Sequence, residues 1–234
     1  MAEFVEHQPC PKCGSKDNLG IYSDGSWWCF GCHYFKRGLT SLRKYEPKEP
    51  KPLNFPSDAS NYIPHIGLSW IKQYGILDKE LVDHHVQWSE TRQMLLFPYY
   101  GETKQNLLAW QGRNFGASGP KWFGRGNLVD LVHLIGPPGN RIVICEDVVS
   151  AIKLGRFVTS CPIFGSNPGL KLLVRLSDRF SELVIWLDMD KHREALKTHS
   201  KASQLGFNNI KVISTEKDPK ALTEGEIKSI LFGR

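Results

Sequence analysis

The 234-residue chain has no run of about 18 consecutive apolar residues, so a membrane-spanning helix and a membrane partner are not expected. Its opening, MAEFVEHQPC, has neither the basic flank nor the apolar stretch of a secretory leader, and the expected location is the cytoplasm. No internal repeat is found, which sets solenoid architectures aside. No Gly-x-x-x-x-Gly-Lys-Ser/Thr occurs, so the phosphate loop of a nucleotide-driven motor is missing. Acid is also scarce between Thr91 and Leu128, where Glu102 stands alone against Arg92, Lys104, Arg113, Lys121 and Arg125. Trp110, Phe115, Trp122 and Phe123 interleave with those cations, a combination suited to phosphate contact and base stacking. A hairpin with aromatic core residues and a solvated basic rim is the other reading. The whole chain carries a formal charge of +6, and 41% of its residues are hydrophobic, enough for one α/β domain and a small satellite.

Four of the six cysteines are concentrated near the N-terminus. Cys10-x2-Cys13, fifteen residues, then Cys29-x2-Cys32 is zinc-ribbon spacing, because each Cys-x-x-Cys knuckle presents two thiolates and two knuckles complete a tetrahedron. One structural Zn²⁺ is expected, since catalytic zinc needs an open position and all four are taken by Cys. His33 is read as a surface residue, and Cys145 and Cys161, in apolar runs, as small buried hydrophobes. Between the knuckles, Asp24-Gly25 marks a hairpin turn, and alternation along the returning strand sends Trp27 and Trp28 to opposite faces. One ring then packs beside the metal, and the other faces out near Lys12, Lys16, Lys36 and Arg37, placed to stack on single-stranded nucleic acid. The competing reading makes both rings part of a tiny core.

From Lys44 to Pro56, KYEPKEPKPLNFP has the composition of a semi-rigid extended linker. The expected organisation is a zinc ribbon over 1–43, the linker over 44–57, a basic subdomain over 58–140 and an α/β domain over 141–234. GLSWIKQYGILDKELVDHHV predicts one or two short helices interrupted at Gly75. QMLLFPYY and NLLAWQGR, separated by residues 101–104, predict a β-hairpin followed by a Gly-rich loop, NFGASGPKWFGRGN. From Arg141 strands alternate with helices: RIVIC, VVSAIKLG, RFVTSCPIF, GLKLLVRLSDRF, ELVIWLD, REALKTHSKASQLG and IKVIS. Continuous apolar strands of that kind form a parallel sheet covered on both faces, with ligands beyond the strands' carboxyl ends.

Glu146 follows the first of these strands, and Asp188 and Asp190 end the third. Carboxylates at neighbouring strand ends suit Mg²⁺, which takes one or two of them and keeps its other sites for water and phosphate. VICEDVVSAIKLG and VIWLDMDKHREA resemble the Glu and Asp-x-Asp motifs of TOPRIM domains, which primases, topoisomerases and some nucleases share. WQGRNFGASGPKWFGRGNLVDL is similar to the Gly-Arg and Pro-Lys-aromatic segment of primases, and TEKDPKAL to the Lys-Asp-Pro segment that closes their TOPRIM fold. YSDGSWWCFGC resembles the zinc hairpin of phage primases. The order of these motifs identifies the chain as similar to DnaG-type and bacteriophage-type DNA primases over nearly its whole length.

The resemblance implies a TOPRIM Rossmann-like parallel sheet with an α/β basic subdomain, preceded by a small all-β zinc ribbon. It implies a template-directed RNA polymerase that makes primers on single-stranded DNA from ribonucleoside triphosphates. Glu146, Asp188 and Asp190 would surround catalytic Mg²⁺ or Mn²⁺ with Asp218 close by, and Arg113, Lys121, Arg125 and Lys217 would hold template or nucleotide. Asp24, Ser26, Trp27 and Trp28 would read the template, and a replicative helicase would act in trans. In the phage case the location is the host cytoplasm. The sequence departs from the pattern at Asp147, where TOPRIM motifs usually have Gly, at Ser150, where they have a later Asp, and at Arg193, where a Gly is usual. Ser26 stands where phage hairpins often carry His. Two alternatives are a RecR-like recombination mediator, in which the zinc motif follows a helix-hairpin-helix segment, and a TOPRIM nuclease using the same acids.

Overall fold

The computed structural model describes residues 3–36, 53–101 and 106–233. The chain divides into two compact units, Met1–Pro52 and Leu53–Arg234. Arg37, the linker up to Pro52 and the turn residues 102–104 lie outside the described residues.

The first unit is a four-stranded antiparallel sheet, β1 (Phe4–Gln8), β2 (Leu19–Tyr22), β3 (Trp27–Cys29) and β4 (Phe35–Lys36), paired in chain order. The Asp-Gly turn joins β2 to β3 as expected, with Gly25 at φ 76°. β1 is exposed along its whole length and has no apolar alternation, so backbone pairing with β2 defines it. The buried core consists of Cys10, Leu19 and Cys29, with Ile21, Trp27 and Tyr34 partly buried against it.

The second unit contains two sheets. Helices α1 (His65–Lys72) and α2 (Asp78–Asp83) lead into an antiparallel sheet of β5 (Gln87–Ser89), β6 (Met94–Tyr100), β7 (Leu107–Asn114) and β8 (Trp122–Gly126). Gly75, with φ 73°, separates the helices because only glycine takes that turn without strain. β8 lies in the Gly-rich segment expected to be loop. It pairs with β7 from Arg113↔Trp122 to Ala109↔Gly126, and glycine is required at its end: Gly126 has φ 86°, and a Cβ there would lie 2.6 Å from the Leu108 carbonyl oxygen. A pattern rich in glycine is read as loop, but here the missing side chains let an edge strand come close to β7.

The parallel sheet has the order β10-β9-β11-β12, with β9 (Arg141–Cys145), β10 (Thr159–Pro162), β11 (Glu182–Trp186) and β12 (Asn209–Ile213). Between the strands run α3 (Val148–Leu154), α4 (Leu170–Ser177) and α5 (His192–Ala202), and α6 (Glu224–Phe232) closes the chain. One face packs Ile142, Ile144, Leu183 and Ile185 against Leu172, Leu173, Leu176 and Ala195 of α4 and α5. The other packs Val143, Val184 and Trp186 against α3 and α6. That second core also holds Leu95, Phe97 and Tyr99 of β6 and Ile71 of α1. Residues 58–140 and 141–234 are therefore two sheets around a shared core. Leu53 and Phe55, at the end of the expected linker, pack with Met94, Leu96 and Trp110 on the far side of the antiparallel sheet.

Candidate functional site

In the zinc ribbon, all four cysteine sulfurs lie within 4.8 Å of one another, with Cys10–Cys32 and Cys13–Cys29 separations of 3.7 Å. A tetrahedron built on Zn–S bonds of about 2.3 Å has edges of about 3.8 Å, so the thiolates fit one structural zinc. Backbone N–H groups of Lys12 and Cys32 point at the Cys10 and Cys29 sulfurs. A backbone N–H of Ser15 lowers the Cys13 thiol to about 6, toward the thiolate a metal requires. Among the described residues this is the one group of three or more Cys, His, Asp or Glu side chains gathered closely enough to hold a metal.

The two tryptophans separate as strand alternation requires. Trp27 is half-buried against the knuckle core, with the Lys36 ammonium 4.1 Å from its ring centroid. Trp28 is 36% exposed and stacks on His33 at 5.7 Å and 18°. His33 has φ 57°, and the ring stack occupies it beside Trp28 rather than at the metal. Asp24 Oδ1 accepts from both the hydroxyl and the backbone N–H of Ser26, and these bonds hold its carboxyl below the usual range. Trp27→Ala is expected to loosen the ribbon, whereas Trp28→Ala leaves it folded and weakens single-stranded DNA binding by about 5–100-fold, the worth of one stacked base. Fluorescence anisotropy beside a zinc-retention assay measures both, and equal loss of zinc in the two variants would refute the division.

Glu146 and Asp188 lie just beyond the carboxyl ends of the adjacent parallel strands β9 and β11. Burial, reinforced by the Asp188 charge, raises the Glu146 carboxyl to about 7, and burial raises Asp188 to about 6. Glu146 Oε1 and Asp188 Oδ1 are buried without a hydrogen-bond partner. Two desolvated carboxylates side by side with unused oxygens have the donor chemistry of a hard divalent cation site. Asp190 is exposed and paired with Lys191. Asp218, which begins the short 3₁₀ turn Pro219–Ala221, lies 3.0 Å from Lys220.

Asp147 is neither solvated nor spare. Its Oδ1 accepts from the backbone N–H groups of Val149 and Ser150 and caps α3, while its Oδ2 accepts from the Ser150 hydroxyl and pairs with Lys220 at 2.8 Å. Lys220 was not singled out from the sequence. The only signal was a second cation after Lys-Asp-Pro, and its role depends on β9 and β12 converging on the same end of the sheet.

The basic strand residues do not share one surface. Cross-strand pairing puts Arg113 on the face of β7 and β8 that carries Trp122 and Leu95, and Arg125 on the face that carries Trp110. Arg113 lies among Trp70, Phe115 and Trp122, 5.2–6.0 Å from their centroids, and its Nε and Nη1 are buried without partners. Arg125 lies over Phe123 at 4.0 Å, Lys121 is exposed, and Lys217 is 3.9 Å from Glu226 of α6. Trp110 is buried, and Phe115, Trp122 and Phe123 pack against the cores, so these aromatics serve mainly the fold. A separate cavity of about 880 Å³, lined in part by His84, His85, His133, Lys171 and Arg175, includes none of Glu146, Asp188, Asp190 and Asp218.

The four-cysteine antiparallel ribbon, the antiparallel sheet and the four-stranded parallel sheet have the fold of solved primase structures. The primase fragment of the bacteriophage T7 primase-helicase superposes with a TM-score of 0.56, covering 98% of each chain at 19% identity. The Aquifex aeolicus primase, in its zinc-binding and RNA polymerase domains, superposes at 0.54 over 94% of this chain and 76% of its own, at 14% identity. In sequence the chain is 24% identical over 250 aligned positions to a DNA helicase/primase of Enterobacteria phage T3, covering 97% of this chain and 43% of that protein. The chain thus spans less than half the length of that relative. No protein-family profile matches it.

Proposed function

We propose that this chain is a DNA primase, a nucleotidyltransferase that copies single-stranded DNA into short RNA primers. The observation that carries this reading is a pair of half-buried carboxylates, Glu146 and Asp188, each with one buried oxygen that has no hydrogen-bond partner, in a primase fold that also bears a four-cysteine ribbon. Glu146 and Asp188 would hold the catalytic Mg²⁺ or Mn²⁺, with Asp190 and Asp218 beside them. When bound, that ion would neutralise charge on the triphosphate of the incoming nucleotide and favour attack by a primer 3′-hydroxyl. Arg113, desolvated and with two donors unsatisfied, would bind a phosphate of template or nucleotide, since a buried guanidinium gains most from an anion. Lys121, Arg125 and Lys217 would contribute at the exposed rim. Trp28, beside Asp24 and Ser26, would hold template bases.

The expected organisation joins a template-holding ribbon by a proline-rich segment to the polymerase unit. The T3 relative is named as both helicase and primase, which supports a helicase as a partner of this chain. No helix among the described residues is long and apolar enough to cross a membrane, in keeping with a cytoplasmic site of action. Both alternatives use the same sheet, and the fold-wide match to primases, including the ribbon, favours primase over a recombination mediator or a nuclease. Zinc-loaded protein incubated with single-stranded DNA, Mg²⁺ and labelled ribonucleoside triphosphates should yield short oligoribonucleotides. Cleavage of the DNA without RNA product would identify a nuclease, and binding without either would identify a mediator.

A further inference from the structure

We propose that Lys220 is a built-in cation that takes up the charge of Asp147 and Asp218 in place of a second divalent ion, so that the acidic end of the parallel sheet holds one divalent cation, on Glu146 and Asp188. The inference rests on the reading of those two acids as a metal site.

Lys220 Nζ lies 2.8 Å from Asp147 Oδ2 and 3.0 Å from Asp218 Oδ2, and its side chain is 19% exposed. Its backbone is also fixed. The Lys220 carbonyl accepts from Lys153 Nζ at 2.8 Å, and Lys153 is itself buried in α3. Pro219, at the start of the same 3₁₀ turn, is buried as well. The ammonium is therefore held from both sides, by carboxylates at its tip and by α3 at its base.

The donor count then separates two kinds of carboxylate. Both oxygens of Asp147 are used, one on the α3 cap and one on Ser150 and Lys220, and Asp218 is engaged by Lys220. Glu146 Oε1 and Asp188 Oδ1 remain unused. Mg²⁺ requires oxygens at about 2.0–2.1 Å in near-octahedral array, and an ammonium at hydrogen-bond distance from two carboxylates excludes a neighbouring dication by charge and by space. The lysine and the acid that anchors it form a pair at 2.8 Å. Lys220 is thus a positioning residue: it compensates Asp147 and Asp218 permanently, where an ion would do so reversibly.

The test counts Mn²⁺ bound per zinc-loaded full chain at pH 8, from the electron paramagnetic resonance signal of free Mn²⁺ during titration. Wild type should bind one ion, Lys220→Met and Lys220→Gln two, and Lys220→Arg one, since arginine restores the charge. Asp188→Asn should weaken the single wild-type ion by about 10–100-fold. Two ions on wild type, or one ion on both folded neutral variants, overturns the Lys220 assignment and leaves the metal site standing. No Mn²⁺ binding to wild type overturns both. Circular dichroism confirms that a variant is folded before it is counted, and the two neutral variants guard against loss of either one.

Discussion

Asp188→Asn is expected to lower primer synthesis by about 10²–10³-fold or more, the scale of losing one preorganised electrostatic contact at a reacting centre. Glu146→Gln should do the same, because the two carboxylates follow the ends of the adjacent strands β9 and β11 and each supplies an oxygen with no other partner. The two substitutions together should cost little more than either alone, since residues acting as one unit are not additive. Product yield on a denaturing gel, with ribonucleotide concentration varied, measures this. Wild-type yield from either single variant would refute the site.

The same acids give a pH dependence of definite sign. Glu146 is raised from an ordinary 4.5 to about 7, and Asp188 from 3.8 to about 6. A raised carboxyl pKa means that the folded state holds a proton the unfolded chain has already released, so stability falls as pH rises from the ordinary values to the raised ones. The penalty is complete above about pH 7 and absent below about pH 4. Glu146→Gln and Asp188→Asn should therefore raise the melting temperature at pH 8, by about 2–4 °C for each kcal/mol relieved, and leave it unchanged at pH 3.5. Metal binding at the proposed site requires both acids ionised, so activity should climb between pH 6 and 7 and level off above. Added Mg²⁺ should stabilise wild type at pH 8 and leave Asp188→Asn unmoved. A site that destabilises its own fold until it is occupied is the expected cost of preorganised charge.

Removing zinc should have the second large effect. Among the described residues the hydrophobic core of the first unit buries Cys10, Leu19 and Cys29, and two of those three belong to the four-cysteine cluster. A core of that size cannot offset the entropy of ordering the strands, whereas a structural zinc site contributes about 10–16 kcal/mol of binding free energy to folding. Chelation, or Cys29→Ser, should unfold the ribbon as a unit, with loss of the near-ultraviolet signal of Trp27 and Trp28. The second unit has its own two-sided core and should melt at its usual temperature. Primer synthesis from a natural template should fall with the ribbon, while Mn²⁺ binding at Glu146 and Asp188 persists. A ribbon that keeps its hydrogen-exchange protection without zinc would refute the structural role.

Much of this was legible in the residues. The Cys-x-x-Cys spacing fixed the ribbon because thiolate geometry leaves little freedom. The alternation of short apolar strands with amphipathic helices fixed the parallel sheet because burial on both faces forces continuous apolar strands. Even α6, which the strand-and-helix pattern did not include, carried its own signal in Thr223-x-x-Glu226, a capping box that the structure forms. What escaped was the set of features made by contacts distant in sequence. β8 reads as loop because its glycines carry no periodicity, and its pairing with β7 is a property of the partner strand. The basic segment reads as one surface because charges are counted along the chain, but pleating sends Arg113 and Arg125 to opposite faces.

By itself the sequence determined the zinc ligands, the parallel sheet and the strand ends that carry Glu146 and Asp188, because local spacing and hydrophobic period dictate each of them. Only the tertiary structure decided that Trp28, not Trp27, faces outward, that Arg113 sits in an aromatic box, and that Lys220 bridges Asp147 and Asp218. Each of those depends on which strand lies beside which. That order is set by burying both faces of a sheet at once, and no window of neighbouring residues contains it.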